Sequence, residues 1–324
     1  MAAYLARRVV AAALLVVFVS SSALVLTGLA PGDITAEQVG TGVSAETLRA
    51  ERARLGLDRP LWRQYVDWAL RAVRFDFGAS LLYGRPVAGL VGERARNTAL
   101  LAMVALLVAT VIGLPLGVVA GSRRGAVSGA IQSFSLFALS LPSLISSLLL
   151  VFVAARTGWL PTGGMTSLDA HAAGWLDHAV DVTRHLIVPT LALALPLAAT
   201  LERLQAQAMA ETLAEPFIAA ARARGIGWRR ILWRSALKPS LRTVASVYGL
   251  IFGSLLSGSF VVEIVTAWPG LGRLMYDALR SRDLYLAAGC AAAGAVFLAL
   301  GALLSDVALA IVDPRLRSRM RDGA

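Results

Sequence analysis

The chain has 324 residues, of which 57% are hydrophobic, with a mean hydropathy of +0.68 and a formal net charge of +11. Several uninterrupted apolar runs of about twenty residues exclude a water-soluble globular domain, which would be nearer half apolar and lack such runs. The lone cysteine, Cys290, excludes an intramolecular disulfide. The lone lysine, Lys238, sits in Ala-Leu-Lys-Pro without the glycines of a phosphate-binding loop, which excludes a P-loop ATPase.

The hydrophobic pattern predicts an all-α polytopic membrane protein with six transmembrane helices. Arg7 and Arg8 precede an apolar run over Val9–Ala30. That run exceeds the roughly 7–15 residues of a cleaved signal core, so it is read as a retained first span. Small residues near its end leave cleavage open as the alternative. Residues 31–96 are the longest polar region. Asp58 is expected to cap a helix there, with Pro60 near its first turn. Leu61, Tyr65, Trp68, Ala69 and Ala72 follow helical spacing, and Trp62, Tyr65 and Trp68 suit a helix resting at the membrane interface.

A second span is expected over Asn97–Ala120, containing Gly113, Pro115 and Gly117, and Arg123-Arg124 closes a short loop. A third covers Val127–Ala155 and carries a break at Ser140-Leu141-Pro142-Ser143. A polar stretch reaches Arg184, and the fourth span begins at His185 with Pro189 and Pro196 inside it. The fifth covers Ala245–Val262. A loop from Glu263 to Leu286 leads to a sixth over Ala287–Val312, and residues 313–324 form a basic tail.

Between the fourth and fifth spans lies a basic, amphipathic segment, residues 209–243. Leu213, Phe217, Ala220 and Ala221 recur at helical spacing and form one apolar stripe. Pro216 is tolerable in a first helical turn. Gly225 is placed as the C′ glycine that ends this helix, and Ile226-Gly227 makes a turn. A second helix is expected from Trp228 to about Leu237. Trp228, Ile231, Leu232 and Ser235 share one face of it; Arg230, Arg234 and Lys238 share the other. On the residues alone, this segment is equally well a cationic helix lying on anionic lipid.

Six spans put both termini on one side. With the termini inside, the inner pieces carry 16 of the 31 basic residues against five acids, and the longer outer pieces carry 15 bases against 14 acids. The net charge therefore concentrates on the cytoplasmic face, as the positive-inside rule requires, and needs no nucleic-acid partner.

Other candidate sites are weaker. His171, His178 and His185 are spaced seven apart, about 10.5 Å along a helix, so one helix cannot bring two of them within about 2.0–2.1 Å of one metal ion. Asp306 is an acid within a span and a functional candidate on that ground; a buried pair with a neighbouring subunit, or snorkelling, is the simpler reading. Glu263 is read as an interfacial structural residue. Pro142, Pro189 and Pro196 interrupt backbone hydrogen bonding, either as a hinge or as ordinary kinks. Ser133, Ser140, Ser146, Ser254 and Ser257 either line a pathway or pack helices closely.

The stretch FIAAARARGIGWRRILWRSALKPSL resembles the cytoplasmic "EAA" loop of ABC-importer permeases, and is most similar to the dipeptide/oligopeptide/nickel branch. Glu211, Leu213, Phe217, Ile218, Ala221, Arg222, Ala223, Gly225 and Ile226 match its pattern. Ala219 stands where the generic motif has glutamate, Pro216 replaces an acid, and Pro239 and Thr243 depart from the usual ending. LGLDRPLWRQYVDW, DFGAS, HLIVP, VVEIVTAWPGLGRLMYDALRSRDLYLAAG and SDVALAIVDPRLR resemble the same branch; Phe75 replaces a usual glycine.

The resemblance implies a type I ABC-importer permease fold, with residues 97–312 as the permease core. Residues 1–30 would be the first helix with its cytoplasmic N-terminus, and 31–96 the extracytoplasmic region. Glu211, Phe217, Ala221, Arg222, Gly225, Ile226, Trp228, Arg229 and Arg230 would couple to an ATPase. Ser140, Pro142, Ser254 and Ser257 would lie on the translocation path. The implied partners are a second homologous permease, two ABC ATPase subunits, an extracytoplasmic solute-binding protein and the lipid bilayer of the cytoplasmic membrane. ATP and Mg would sit on the ATPases, and this chain would bind no cofactor or metal. Peptides, or a related small solute such as nickel, would be carried. The rival readings are an ion-coupled secondary transporter, which would show internal repeats and mid-membrane acids, and a membrane enzyme, for which no catalytic motif is present.

Overall fold

The computed structural model describes residues 2–30, 45–54, 56–74, 76–167 and 174–312. In chain order these form α1 (Ala2–Leu29), α2 (Ala45–Arg54), α3 (Leu61–Ala72), α4 (Val87–Ser122), α5 (Ala126–Ser140), α6 (Ser143–Thr157), α7 (Trp175–Ala214), α8 (Pro216–Ala223), α9 (Trp228–Arg230), α10 (Leu237–Val265), α11 (Leu271–Arg280) and α12 (Leu284–Val312). A π-helical segment, Ile231–Ala236, joins α9 to α10.

Among the described residues, four helical stretches are long and apolar enough to cross a bilayer: Ala6–Leu29, Val87–Ser122, Trp175–Ala214 and Leu284–Leu303. Two bent pairs, α5 with α6 and Trp228–Gly253 with Gly258–Val265, raise the number to six when each is taken as one span. Phe18 on α1 is 71% exposed, as suits a lipid-facing side chain.

The third span breaks where the sequence places the interruption, at Ser140-Leu141-Pro142-Ser143. α5 and α6 meet at 99°. Leu141 is extended at ψ 113°, the conformation a following proline imposes, and Pro142 then starts α6. Pro189 and Pro196, by contrast, lie within an unbroken α7. Two helices also run further than their apolar stretches: α4 starts ten residues before Asn97, and α7 ten before His185. Hydropathy marks the lipid-immersed part of a helix, not its end.

The chain divides into two compact units. One comprises residues 1–5, 100–268 and 300–324; the other comprises 6–99 and 269–299. In the first, α7 packs against α5, α6 and α10. Leu101, Ala105, Leu193, Leu197, Leu201, Ile251, Leu255 and Trp268 are among its core residues. Within the same unit α4 meets α7 through Gly113, Gly117 and Gly121. A Cβ on Gly113 would lie 2.5 Å from the Ala198 carbonyl, one on Gly117 2.5 Å from that of Glu202, and one on Gly121 would collide with that of Ala206. Both sets recur every four residues, a small-residue stripe that lets two backbones approach where lipid supplies no hydrophobic drive.

In the second unit, α3 does not rest at an interface by its apolar face. Trp68 is buried with Leu24 of α1 and Ala288 of α12, and Leu61, Tyr65, Ala69 and Ala72 pack against them. The stripe covers apolar helices instead of lipid; of Trp62, Tyr65 and Trp68, only Trp62 is exposed. Asp58 is not the cap. Pro60 is, without a side-chain hydrogen bond. The centre of this unit is Asp283, fully buried at the start of α12. Its Oδ1 accepts the Leu286 amide at 3.1 Å, and its Oδ2 accepts the Ser80 hydroxyl at 2.6 Å and the Leu82 amide at 3.0 Å.

Candidate functional site

The basic segment folds as a helical hairpin in the first unit. α7 runs through Glu211, whose Oε1 accepts the Gln207 amide at 3.0 Å, and ends at Ala214. Glu215 is extended and Pro216 begins α8 at a position that needs no donor. The helix expected to carry the Leu213 stripe therefore starts only at Pro216, and its buried face differs from that stripe. Ile218 and Ala221 are buried, whereas Phe217 is 45% exposed and Ala220 is exposed. The break at Glu215 resets the helical phase, which periodicity carried through from Leu213 cannot register.

The end of α8 is as the glycine implies. Gly225 has φ +75°, in the left-handed region open to glycine. Its amide donates to the Arg222 carbonyl at 2.9 Å, and the Ile226 amide donates back to Ala221 at 3.2 Å. This paired closure is the Schellman arrangement, and it satisfies carbonyls that the helix end would orphan.

The second helix is not a separate element ending near Leu237. Trp228–Arg230 passes through the π-helical segment straight into α10. Within it Ile231 and Ala236 are buried, joining Val118, Met209, Ile218 and Ala221 in one apolar cluster. Trp228 faces outward and so does not share a buried face with Ile231. Arg222, Arg229, Arg230, Arg234 and Lys238 are exposed. The Arg222 guanidinium lies 4.6 Å from the Trp228 ring centroid, close enough for a cation–π contact. An open cavity of about 540 Å³ is lined by Arg222, Gly225, Ile226, Trp228 and Ile231. The hairpin thus has a packed inner side and an outer side of aromatic and cationic groups.

Of the expected path residues, Ser140 and Pro142 have described side chains. Ser140 donates to the Leu136 carbonyl at 2.8 Å within α5, and Pro142 lies exposed at the bend. The side chains of Ser254, Ser257 and Asp306, and all of His171, fall outside the described residues. Buried His185 has Nδ1 2.9 Å from the Asp181 carbonyl. Among the described residues no three His, Cys, Asp or Glu side chains could hold one metal ion. Glu263 is fully buried.

Sequence reading missed Glu202 and Gln205. Both are fully buried, and Glu202 Oε1 and Oε2 and Gln205 Oε1 have no hydrogen-bond partner. The Gln205 amide donates to Ser240 Oγ at 2.9 Å. Beside Arg203, Glu202 reads as the polar end of a span, and only its three-residue spacing from Gln205 hinted at a shared inward face.

Residues 113–318 match the family described as the binding-protein-dependent transport system inner membrane component, and residues 1–85 match its N-terminal region. This chain belongs to that family. A probable peptide ABC transporter permease of Sinorhizobium fredii (strain NBRC 101917 / NGR234) is 33% identical over 98% of this chain and all of its own length. An oligopeptide transport system permease of Bacillus subtilis (strain 168) is 32% identical over 98% of this chain and 99% of its own. The inward-facing MetNI methionine ABC transporter has a similar fold, with a TM-score of 0.50 at 18% identity, covering 69% of this chain and 95% of that one. Family members are multi-pass permease subunits of ABC importers that act with ATPase and binding-protein components, and that is the role of this chain.

Proposed function

We propose that this chain forms one half of the pathway of an ABC importer for peptides in the cytoplasmic membrane, beside a second, related permease. Two ATPase subunits dock on the cytoplasmic hairpin, and an external solute-binding protein delivers the peptide. Both termini are cytoplasmic, residues 31–96 lie outside, residues 97–312 form the core and 313–324 a cytoplasmic tail. The chain itself carries out no hydrolysis and binds no cofactor; ATP and Mg belong to the ATPases. The peptide substrate is supported by the relatives named above.

The observation that carries the coupling role is the outward placement of Phe217, Arg222 and Trp228 on a hairpin whose other side is packed into the bundle. Because α9 is continuous with α10 and α8 follows α7 directly, displacement of the hairpin by closing ATPases moves both helices as levers. That rocks the spans between inward-open and outward-open states. Glu211, Ala221, Gly225, Ile226, Arg229 and Arg230 complete the coupling element, with Gly225 setting the angle of the turn.

The test is co-purification. Membranes expressing this chain with its partner permease, ATPases and binding protein should yield an ATPase subunit bound to this chain, with ATP-dependent peptide uptake in vesicles. Proton-driven uptake without any ATPase would favour a secondary transporter. A reporter after Arg321 active only outside the cell would overturn the topology.

A further inference from the structure

A cavity of about 670 Å³ opens in the first unit, between the end of α4, the start of α5 and the second half of α7. Its wall carries Arg123, Arg124, Gln132, Glu202, Arg203 and Gln207. Its size matches that of small-molecule sites, which run to roughly 300–1,000 Å³. Two features are unusual. Arg123, Arg124 and Arg203 are exposed around it without a hydrogen bond or ion pair among the described residues. Glu202, in contrast, is fully buried with neither carboxylate oxygen partnered, and one turn further Gln205 Oε1 is also unpartnered.

A buried carboxylate without a donor costs several kcal/mol. Membrane helices retain such groups mainly for function. The missing partner must be a donor. The three arginines do not fill the role, although they share the same wall. Gln132 and Gln207 do not either, since their amides donate to Ser128 and Glu211. The wall thus offers an unmet acceptor and unmet cationic donors across one small cavity. A simple anion would leave Glu202 unpaired and repel it, and a simple cation would face three guanidiniums. A molecule with an ammonium at one end and a carboxylate at the other satisfies both.

The geometry points to a binding site for a zwitterionic short peptide, its ammonium on Glu202 and its carboxylate on Arg123, Arg124 and Arg203. The Glu202 oxygens are occluded here, so the side chain turns into the cavity as the ligand enters. This assignment rests on the peptide-import reading and places its substrate at a defined point, beside the Arg123-Arg124 loop.

The experiment uses the full chain in nanodiscs and three probes: trialanine, N-acetyl-trialanine and trialanine amide. Binding is read by calorimetry. Wild type should bind trialanine and lose about tenfold or more for either capped peptide, as sites built around a polar partner do. Glu202→Gln should lose the preference for a free ammonium and keep that for a free carboxylate. Arg123→Gln/Arg124→Gln should do the reverse. Co-purification of the ATPase with each variant reports that it is folded. Equal binding of free and capped peptides, unchanged discrimination in Glu202→Gln, or no binding at all would each overturn the site. Uptake of trialanine by the whole importer is measured in parallel. Uptake without end discrimination removes this site and leaves peptide import standing; discrimination by the chain without uptake removes the import reading and leaves the site.

Discussion

Gly117 of α4 lies directly against the backbone carbonyl of Glu202 on α7: a Cβ at residue 117 would stand 2.5 Å from that oxygen and 2.6 Å from the Gln205 Cβ. Backbone cannot move aside as a flexible side chain can. Gly117→Val should therefore push α4 and α7 apart and cost about 1–3 kcal/mol or more, read as lower membrane accumulation and melting temperature. Gly129 on α5 has nothing within 4 Å of its Cβ position. Gly129→Ala should stay within about 0.5 kcal/mol of wild type. Equal stability of the two variants would mean that the glycine stripe is not a packing interface.

Asp283 both caps α12 and fastens the segment around Ser80 and Leu82. Asp283→Ala removes an N-cap, at about 1 kcal/mol, and strands the buried Ser80 hydroxyl at about 1–3 kcal/mol, while the Leu82 amide is left near solvent. A loss near 3 kcal/mol should appear as a lowered thermal midpoint of the detergent-solubilised chain. Asp283→Asn keeps one acceptor and should fall between. An unchanged midpoint for Asp283→Ala would remove this carboxylate from the framework.

The spans were legible because twenty-residue apolar runs leave few alternatives in a bilayer. Gly225 was legible for a similar reason, as a glycine closing a helix before a turn, and its φ of +75° agrees. What escaped was phase and partnership. The stripe of Leu213, Phe217 and Ala220 ignored the restart of the helix at Pro216, so Ile218 was not recognised as the buried residue. The α3 stripe showed an apolar face without showing that Leu24 and Ala288 would cover it. Glu202 was not singled out because local sequence cannot reveal which side chains fail to find a partner across helices.

Neighbouring residues 217 and 218 should behave oppositely. Ile218 is 1% exposed and Phe217 45%. Ile218→Ala should cost about 2–5 kcal/mol of stability. Phe217→Ala should leave stability within about 0.5 kcal/mol and weaken ATPase binding by about tenfold, the effect of a hot-spot aromatic. Thermal melts paired with ATPase pull-down separate the two. If Phe217→Ala retains full ATPase binding but releases the hairpin from anionic vesicles, the exposed face is a lipid-binding one.

Gly225 decides whether the hairpin couples. Its Cβ position is open, with nothing within 4 Å, so a substitution there meets no neighbour and acts through the backbone alone. Left-handed φ costs an ordinary residue about 1–2 kcal/mol, and a β-branched one resists it further. Asparagine tolerates it best. Gly225→Val should thus reorient α8 against Trp228 and Arg229 while the spans insert normally, abolishing ATPase co-purification and uptake at matched expression. Gly225→Asn should retain most of both. Gly113→Val, a packing change, should instead reduce the amount of protein in the membrane. A Gly225→Val chain that keeps its ATPase and transports like wild type would show that the turn angle does not transmit the ATPase stroke, and would return this segment to the lipid surface.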